Sequence, residues 1–267
     1  MAGVYCLTCN SNTQLQRMQV FYDDRTHTYF ILDGRKKIFY TSATQIISQY
    51  KQPFDKRKMA EITARKKGNT PEYWIKEWAK ISKDAADYGT SVHDKYERQM
   101  IKEGAATLSG RSLKVHHQLP VDLINYDSLE EGIYPELKLW HHYYRIAGRT
   151  DKAILEKVGS SRYMHIEDYK TNKKISQESY QFPDGSYKKM LPPVNHLQDC
   201  NYNHYALQFA IYQFMAESLG FKPGYRKLIH VPDENTRVEY DIPYLRAEVQ
   251  EILEHKTKLY VNHKRRS

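Results

Sequence analysis

Cysteine is scarce in this chain, three residues in 267. An odd and small number argues against a secreted fold stapled by disulfides. Cys6-Leu7-Thr8-Cys9 has the spacing of a zinc knuckle, but no second Cys or His pair follows at a matching distance and Cys200 is remote. A structural zinc or an iron–sulfur cluster would therefore be short of ligands. No apolar run approaches the roughly 20 residues that span a bilayer, and the first residues lack an apolar core preceded by positive charge. Internal repeats and low-complexity linkers are also missing. These absences lead us to expect a soluble intracellular protein without a membrane partner, long enough to bury one substantial core.

Positive charge and tyrosine are plentiful. Lys and Arg number 41 against 32 Asp and Glu, a formal net charge of +9. The basic residues cluster at Lys56-Arg57-Lys58, Arg65-Lys66-Lys67, Lys173-Lys174, Lys188-Lys189 and His263-Lys264-Arg265-Arg266. Such charge suits nucleic acid, an anionic membrane or solubility alone. The 23 tyrosines favour nucleic acid, because a tyrosine can stack on a base or bond a phosphate.

Residues Gln19–Tyr22, His27–Leu32 and Lys37–Tyr40 carry β-formers, with Asp33-Gly34 as a hairpin signal. Thr41-Ser42-Ala43-Thr44 caps a short helix through Ile47. Pro71–Ile81 and Ile81–Ile101 read as helical, with Trp74, Trp78, Ile81 and Ala85 on one stripe, and the two tryptophans as core residues. Glu136–Tyr144, Arg145–Leu155 and Tyr163–Thr171 read as three antiparallel strands. Residues 176–195 form a polar insert, with a Pro183-Asp184-Gly185 turn and a Pro192-Pro193 breaker. Asn203–Leu219 is a helix ended by Gly220, Lys227–Val231 a strand, and Pro243–Tyr260 a final amphipathic helix. The order predicts an α/β fold with a mixed central sheet flanked by helices. Residues 1–88 are expected as a hairpin and helical leader packed on a core of residues 89–267.

Three constellations carry chemistry. Asp151 and Asp168 lie about one hairpin apart, and Lys170 follows the second by two residues. Side chains at i and i+2 of a strand point to one side, so Asp168 and Lys170 project together while Glu167 and Tyr169 face away. Two carboxylates beside an ammonium can bind a hard divalent cation near a scissile phosphate; the same residues could also be a solvated ion pair on a surface hairpin. His93 and Glu97, four apart on a helix, share a face, so His93 is either an extra ligand for Mn²⁺ or Mg²⁺ or the ion-pair partner of Glu97. Gly89 would let that helix pack closely on a neighbour. Gln208 and Tyr212 share one face, while Leu207, Ile211, Phe214 and Met215 make the buried stripe. They could orient a water, a lysine or a phosphate oxygen, or simply belong to a helix partly buried through a hydrogen-bonded Gln.

In chain order these are Gly89-Thr90-x-x-His93, Gly148-Arg149-Thr150-Asp151, Asp168-Tyr169-Lys170-Thr171 and Gln208-x-x-x-Tyr212. That order resembles the PD-(D/E)XK nuclease superfamily, in particular its RecB-like branch with a helical His and a Gln-x-x-x-Tyr motif, as in phage-type and mitochondrial-genome-maintenance-type exonucleases. The resemblance covers roughly Gly89 to Tyr212. It implies a restriction-endonuclease-like fold. It also implies a Mg²⁺ or Mn²⁺ site held by His93, Asp151, Asp168 and the carbonyl of Tyr169, with Lys170 as the catalytic lysine and Gln208 and Tyr212 as its helpers. Glu136 falls where several relatives carry an acidic residue. Relatives with an iron–sulfur cluster hold four bracketing cysteines, and with three here no cluster is expected. The implied activity is a metal-dependent DNA exonuclease acting in recombination, repair or phage DNA processing. Arg149, Lys173, Lys188 and Lys189 are candidate substrate contacts. A single-strand-binding or annealing protein is a further partner, and the location is cytoplasmic, in a bacterial host if the gene is phage-borne. A structure-selective endonuclease, a DNA-binding module with a decayed site and an RNA nuclease remain as alternatives.

Overall fold

The computed structural model describes residues 19–23, 25–117 and 124–264; Cys6 and Cys9 fall outside them. Alternating aromatic and polar residues near the start of the chain form an antiparallel meander of β1 (Phe21–Asp23), β2 (Thr28–Asp33) and β3 (Lys36–Ser42). Gly34, at φ 59°, takes the left-handed turn between β2 and β3. A second meander follows from β6 (Gly132–His141), β7 (Ile146–Val158) and β8 (Ser161–Lys170). Both belong to one mixed sheet in the order β1-β2-β3-β7-β8-β9-β10, with β6 also on β7. Strand β9 (Lys222–Asp233) lies parallel to β8, and β10 (Thr236–Asp241) closes the edge antiparallel to β9. The residues before Gly89 thus supply three strands of the central sheet.

Helices cover both faces. Ser42 starts α1 (Ala43–Ser48) with a reciprocal capping box to Gln45. With α4 (Asn201–Ser218) and α5 (Arg246–Lys264) it buries Ile46, Leu207, Phe209, Ile211 and Ile252 against Leu137, Leu155, Ile166 and Leu228 of the sheet. The opposite face is covered by α3 (Pro71–Glu103), where Val92 meets Tyr169, Ile229 and Val231. Further along α3, Met100 joins Ile133 and Ile154 under the hairpin of β4 (Ala105–Leu108) and β5 (Arg111–Lys114). No helix among the described residues is long and apolar enough to cross a membrane.

The expected tryptophan core is corrected. The two helical stretches form one 33-residue helix, and its first half projects past the sheet. Trp74 and Trp78 are only half-buried and Ala85 is exposed, while Ile81 is 48% exposed. Its cover among the described residues is α2 (Lys56–Lys67), tied on by an Arg57–Glu72 ion pair of 2.9 Å, with Lys67 over the Trp74 ring. Periodicity reports a face that would gain from cover, and a short basic helix covers only part of it.

Two features of β7 place the site. Ile146 and Ala147 pair with β3 on one edge and with β6 on the other, whereas Lys152 to Val158 pair with β8 on that first edge. The edge of β7 therefore passes from β3 to β8 across residues 148–151. At the same level the inward alternation slips by one on both strands. Tyr134 and Leu137 point into the same core, as do Ala153 and, against Tyr212, Gly148. Glu136 absorbs the slip with φ 52°, a left-handed conformation unusual outside glycine. Gly148 is needed for lack of bulk, because a Cβ there would lie 2.5 Å from Tyr212 Cε1. Gly148→Ala should cost roughly 1–3 kcal/mol by overpacking and displace the Tyr212 ring. A denaturant melt and the near-ultraviolet dichroism of the variant check this, and an unchanged melt would contradict it.

Candidate metal centre

Asp151 sits where the edge of β7 changes partner, so its side chain is free of the packed face. Its Oδ2 accepts the backbone N–H of Tyr169 at 2.7 Å and meets His93 Nδ1 at 3.1 Å. His93 comes from α3, across the sheet, and reaches Asp151 because the strands part there. Helix α3 lies close enough for this partly through Gly89, where a Cβ would stand 3.3 Å from Thr171 Oγ1. Glu136, opposite Asp151 on β6, completes a group of three. Ligand atoms of His93, Glu136 and Asp151 all lie within 4.8 Å of one another.

Asp168 and Lys170 project together as the strand period requires, and the lysine ammonium is ion-paired to Asp168 Oδ1. Asp168 is not in the compact group of three, but it feels the charge of Asp151 and its own charge is felt by His93. Glu167 points to the other face, where Lys152 at 2.8 Å and the Tyr225 hydroxyl at 2.9 Å hold it. Tyr169 meets the centre through its backbone, while its ring stacks on Tyr96 at 4.3 Å.

Helix α4 brings the third constellation. Gln208 Nε2 donates to the Tyr212 hydroxyl at 2.8 Å, and Tyr212 lies within the field of Asp168 and Asp151. The sequence reading passed over Tyr205, whose ring lies 5.1 Å from Lys170 Nζ and whose hydroxyl bonds the Asn172 side chain. Its signal was spacing, because residues 205, 208 and 212 lie on one helical face. The candidate substrate contacts divide. Arg149 is paired with Glu136 and lies over the Tyr22 ring at 4.8 Å. Lys188 is bound to Asp199 at 2.8 Å, whereas Lys173 and Lys189 are exposed.

Burial and neighbouring charge set the protonation of the group. Burial, reinforced by Asp151, pushes Asp168 up to about 7 against the opposing pull of Lys170. Burial likewise pushes Glu136 to about 7 with help from Asp151 and Glu97, although Arg149 opposes it. Burial disfavours charge on Asp151 too, but the hydrogen bond and charge of His93 outweigh it and hold that carboxyl low. His93 is raised in turn, since Asp151 outweighs the cost of its burial. Lys170 stays protonated, its burial overcome by Asp168 and Asp151.

The residues fit a divalent cation. One imidazole nitrogen with carboxylate oxygens is a donor set for Mn²⁺ or Mg²⁺, and the acids hold protons that a cation would displace. Ligand atoms on one magnesium lie about 4.2 Å apart when opposite and about 3 Å apart when adjacent, so the three side chains would draw together around an ion. His93, Glu136 and Asp151 would hold the ion, with Asp168 at its edge.

The shifts give a signed pH dependence. Asp168 and Glu136 are raised, so the folded protein keeps protons that the unfolded chain releases near pH 4. That stability is complete below about pH 4 and is lost as pH rises through about 7. Raised His93 adds in the same direction, whereas lowered Asp151 contributes stability that is lost only toward acid pH. The metal-free melting temperature should therefore fall from pH 5.5 to 8, and Mn²⁺ should raise it far more at pH 8. Glu136→Gln should abolish most of that difference; a Mn²⁺ effect independent of pH in the native chain would contradict the site. No family model matches the chain and no curated protein matches it, and the residues of this centre alone point to its chemistry.

Proposed function

We propose that the protein is a divalent-metal-dependent DNA exonuclease with a restriction-endonuclease-like core, of the RecB-like PD-(D/E)XK kind. The observation that carries this reading is the convergence of His93 from α3, Glu136, Asp151 and Asp168 from three adjacent strands, and Lys170 beside them. The order of helix with His, three antiparallel strands with the acids, helix with Gln and Tyr, then a parallel strand also supports it.

A bound cation would acidify a water and offset charge on a phosphate oxygen. The chain's own residues supply the rest. Lys170, held protonated among carboxylates, adds positive charge where negative charge grows on the oxygens around phosphorus, a role worth about 2.7–4 kcal/mol, or 10²–10³ in rate, for one such donor. Tyr205 fixes the height of that ammonium above α4. Gln208 and Tyr212, bonded to each other, give the same helix a fixed pair of polar groups facing Asp168. Exposed Lys173, Lys174 and Lys189 on the segment that follows Lys170 and the basic run of α2 favour a polyanionic substrate, and we take it to be DNA in recombination, repair or phage DNA processing. A single-strand-binding or annealing protein fits such a setting.

Three variants separate chemistry from binding. Asp151→Ala should abolish cleavage of end-labelled linear DNA in Mg²⁺ or Mn²⁺ while keeping the fold. Lys170→Ala should lower turnover by orders of magnitude and leave DNA affinity nearly intact. His93→Ala should change the preference between Mn²⁺ and Mg²⁺, since it removes the nitrogen donor. Linear DNA should be degraded from its ends and closed circles should resist. Full activity of Asp151→Ala would sink the assignment; rapid nicking of closed circles by the native chain would replace exonuclease by endonuclease.

A further inference from the structure

The insert after Lys170 is a braced hairpin with an apolar tip. Its outgoing leg is bound to the start of α4. Ser176 N donates to Asn201 Oδ1 at 2.7 Å, and Asn201 Nδ2 donates to the Lys174 carbonyl at 2.8 Å. Its return leg is clamped by Asp199, whose side chain is 4% exposed. That carboxylate takes Lys188 at 2.8 Å, His204 at 2.7 Å and the Gln52 amide at 3.1 Å. Tyr50 and Gln52, just past α1, add bonds to Leu191 and Lys189. Met190 and Val194 are buried beneath. Even the turn is tied, by Phe182 N to the Ser186 carbonyl at 2.8 Å, Gly185 N to the Phe182 carbonyl at 2.9 Å, and Ser186 to Asp184.

Out of this framework stand Tyr180, 65% exposed, and Phe182, 42% exposed. Their rings pack edge to face at 5.3 Å. Neither belongs to a core cluster among the described residues, and the turn bonds use only backbone and polar groups. Two adjacent large aromatics held in water on a rigid support form a preorganised stacking surface. Their place says what they face. The hairpin leaves the strand bearing Lys170 and is pinned at Asn201, one helical turn before Tyr205, which lies on that lysine. Exposed Lys173, Lys174 and Lys189 line its legs, complementary to a phosphate backbone, and bases stack on aromatic rings without regard to sequence.

We propose that this tip parts the strands of a DNA end: Tyr180 and Phe182 stack on the terminal base pair and hold it open, so that one strand passes toward the metal centre. The substrate in this proposal rests on the nuclease reading above, but the wedge itself is tested without cleavage. A short blunt duplex carrying thymines in both strands of its last three pairs is bound by the full chain in EDTA and treated with permanganate, which oxidises unstacked thymine. The native chain should raise terminal reactivity several-fold and leave internal thymines unchanged. The Tyr180→Ala/Phe182→Ala double variant should leave them at the level of free DNA, and Tyr180→Phe should behave as the native chain does. A melt confirms that the double variant is folded. Equal reactivity with native and double-variant protein, or no rise with the native chain, would overturn the wedge. A change from dimer to monomer in the double variant by light scattering would overturn it in favour of self-association. Cleavage of the same duplex and of a single-stranded oligonucleotide in Mn²⁺ is read separately: absence of both in the native chain would sink the nuclease reading and leave the permanganate result standing.

Discussion

Two carboxylates buried near each other cannot both keep their charge unless cations are brought to them, and this constraint organises the molecule around Asp151 and Asp168. Burial disfavours charge on each acid, and Asp151 further raises the cost of ionising Asp168. Compensation comes from separate elements, His93 and the Tyr169 amide for Asp151 and Lys170 for Asp168. The helix over one face and the sheet must both be in place for the charges to balance. Even so, Asp168 and Glu136 are both pushed up to about 7. A fold that buries acids and leaves them short of positive charge is one that a divalent cation would complete.

The sheet makes room for this by breaking its own regularity at one level. The edge of β7 changes partner and the alternation of β6 and β7 slips across Glu136 and Asp151. Left-handed backbone at Glu136 is the cost. In return a side chain from α3 meets carboxylates that otherwise belong to the face under α4. The arrangement also separates tasks, since the strands and the middle of α3 carry the acids, while the insert and α4 present amides, hydroxyls, aromatic rings and lysines beside them.

Much of this was legible in the chain. Period-2 patterns and turn residues placed β6, β7 and β8 within a few residues, and spacing alone put Asp168 and Lys170 on one side and Glu167 and Tyr169 on the other. Less was legible where tertiary cover decides. Trp74, Trp78 and Ile81 fall on a helical stripe, but nothing in the stripe says that the sheet ends before it. Helix α2 was missed because its six basic residues blur a thin apolar face, and β10 because Thr236–Asp241 is a short polar edge strand. Long-range pairings such as Lys188 with Asp199 have no local signature. The slip at Glu136 did have one: Pro135 inside a strand pattern marks an edge or an irregularity, and β6 is such an edge among the described residues.

The most direct test of the centre is to see the ion. Crystals grown or soaked with Mn²⁺ at pH 8 and measured near the manganese edge should show an anomalous peak within coordination distance of His93, Glu136 and Asp151, with Asp168 beside it. Well-occupied Mn²⁺ elsewhere on the molecule and no peak among these side chains would contradict the account.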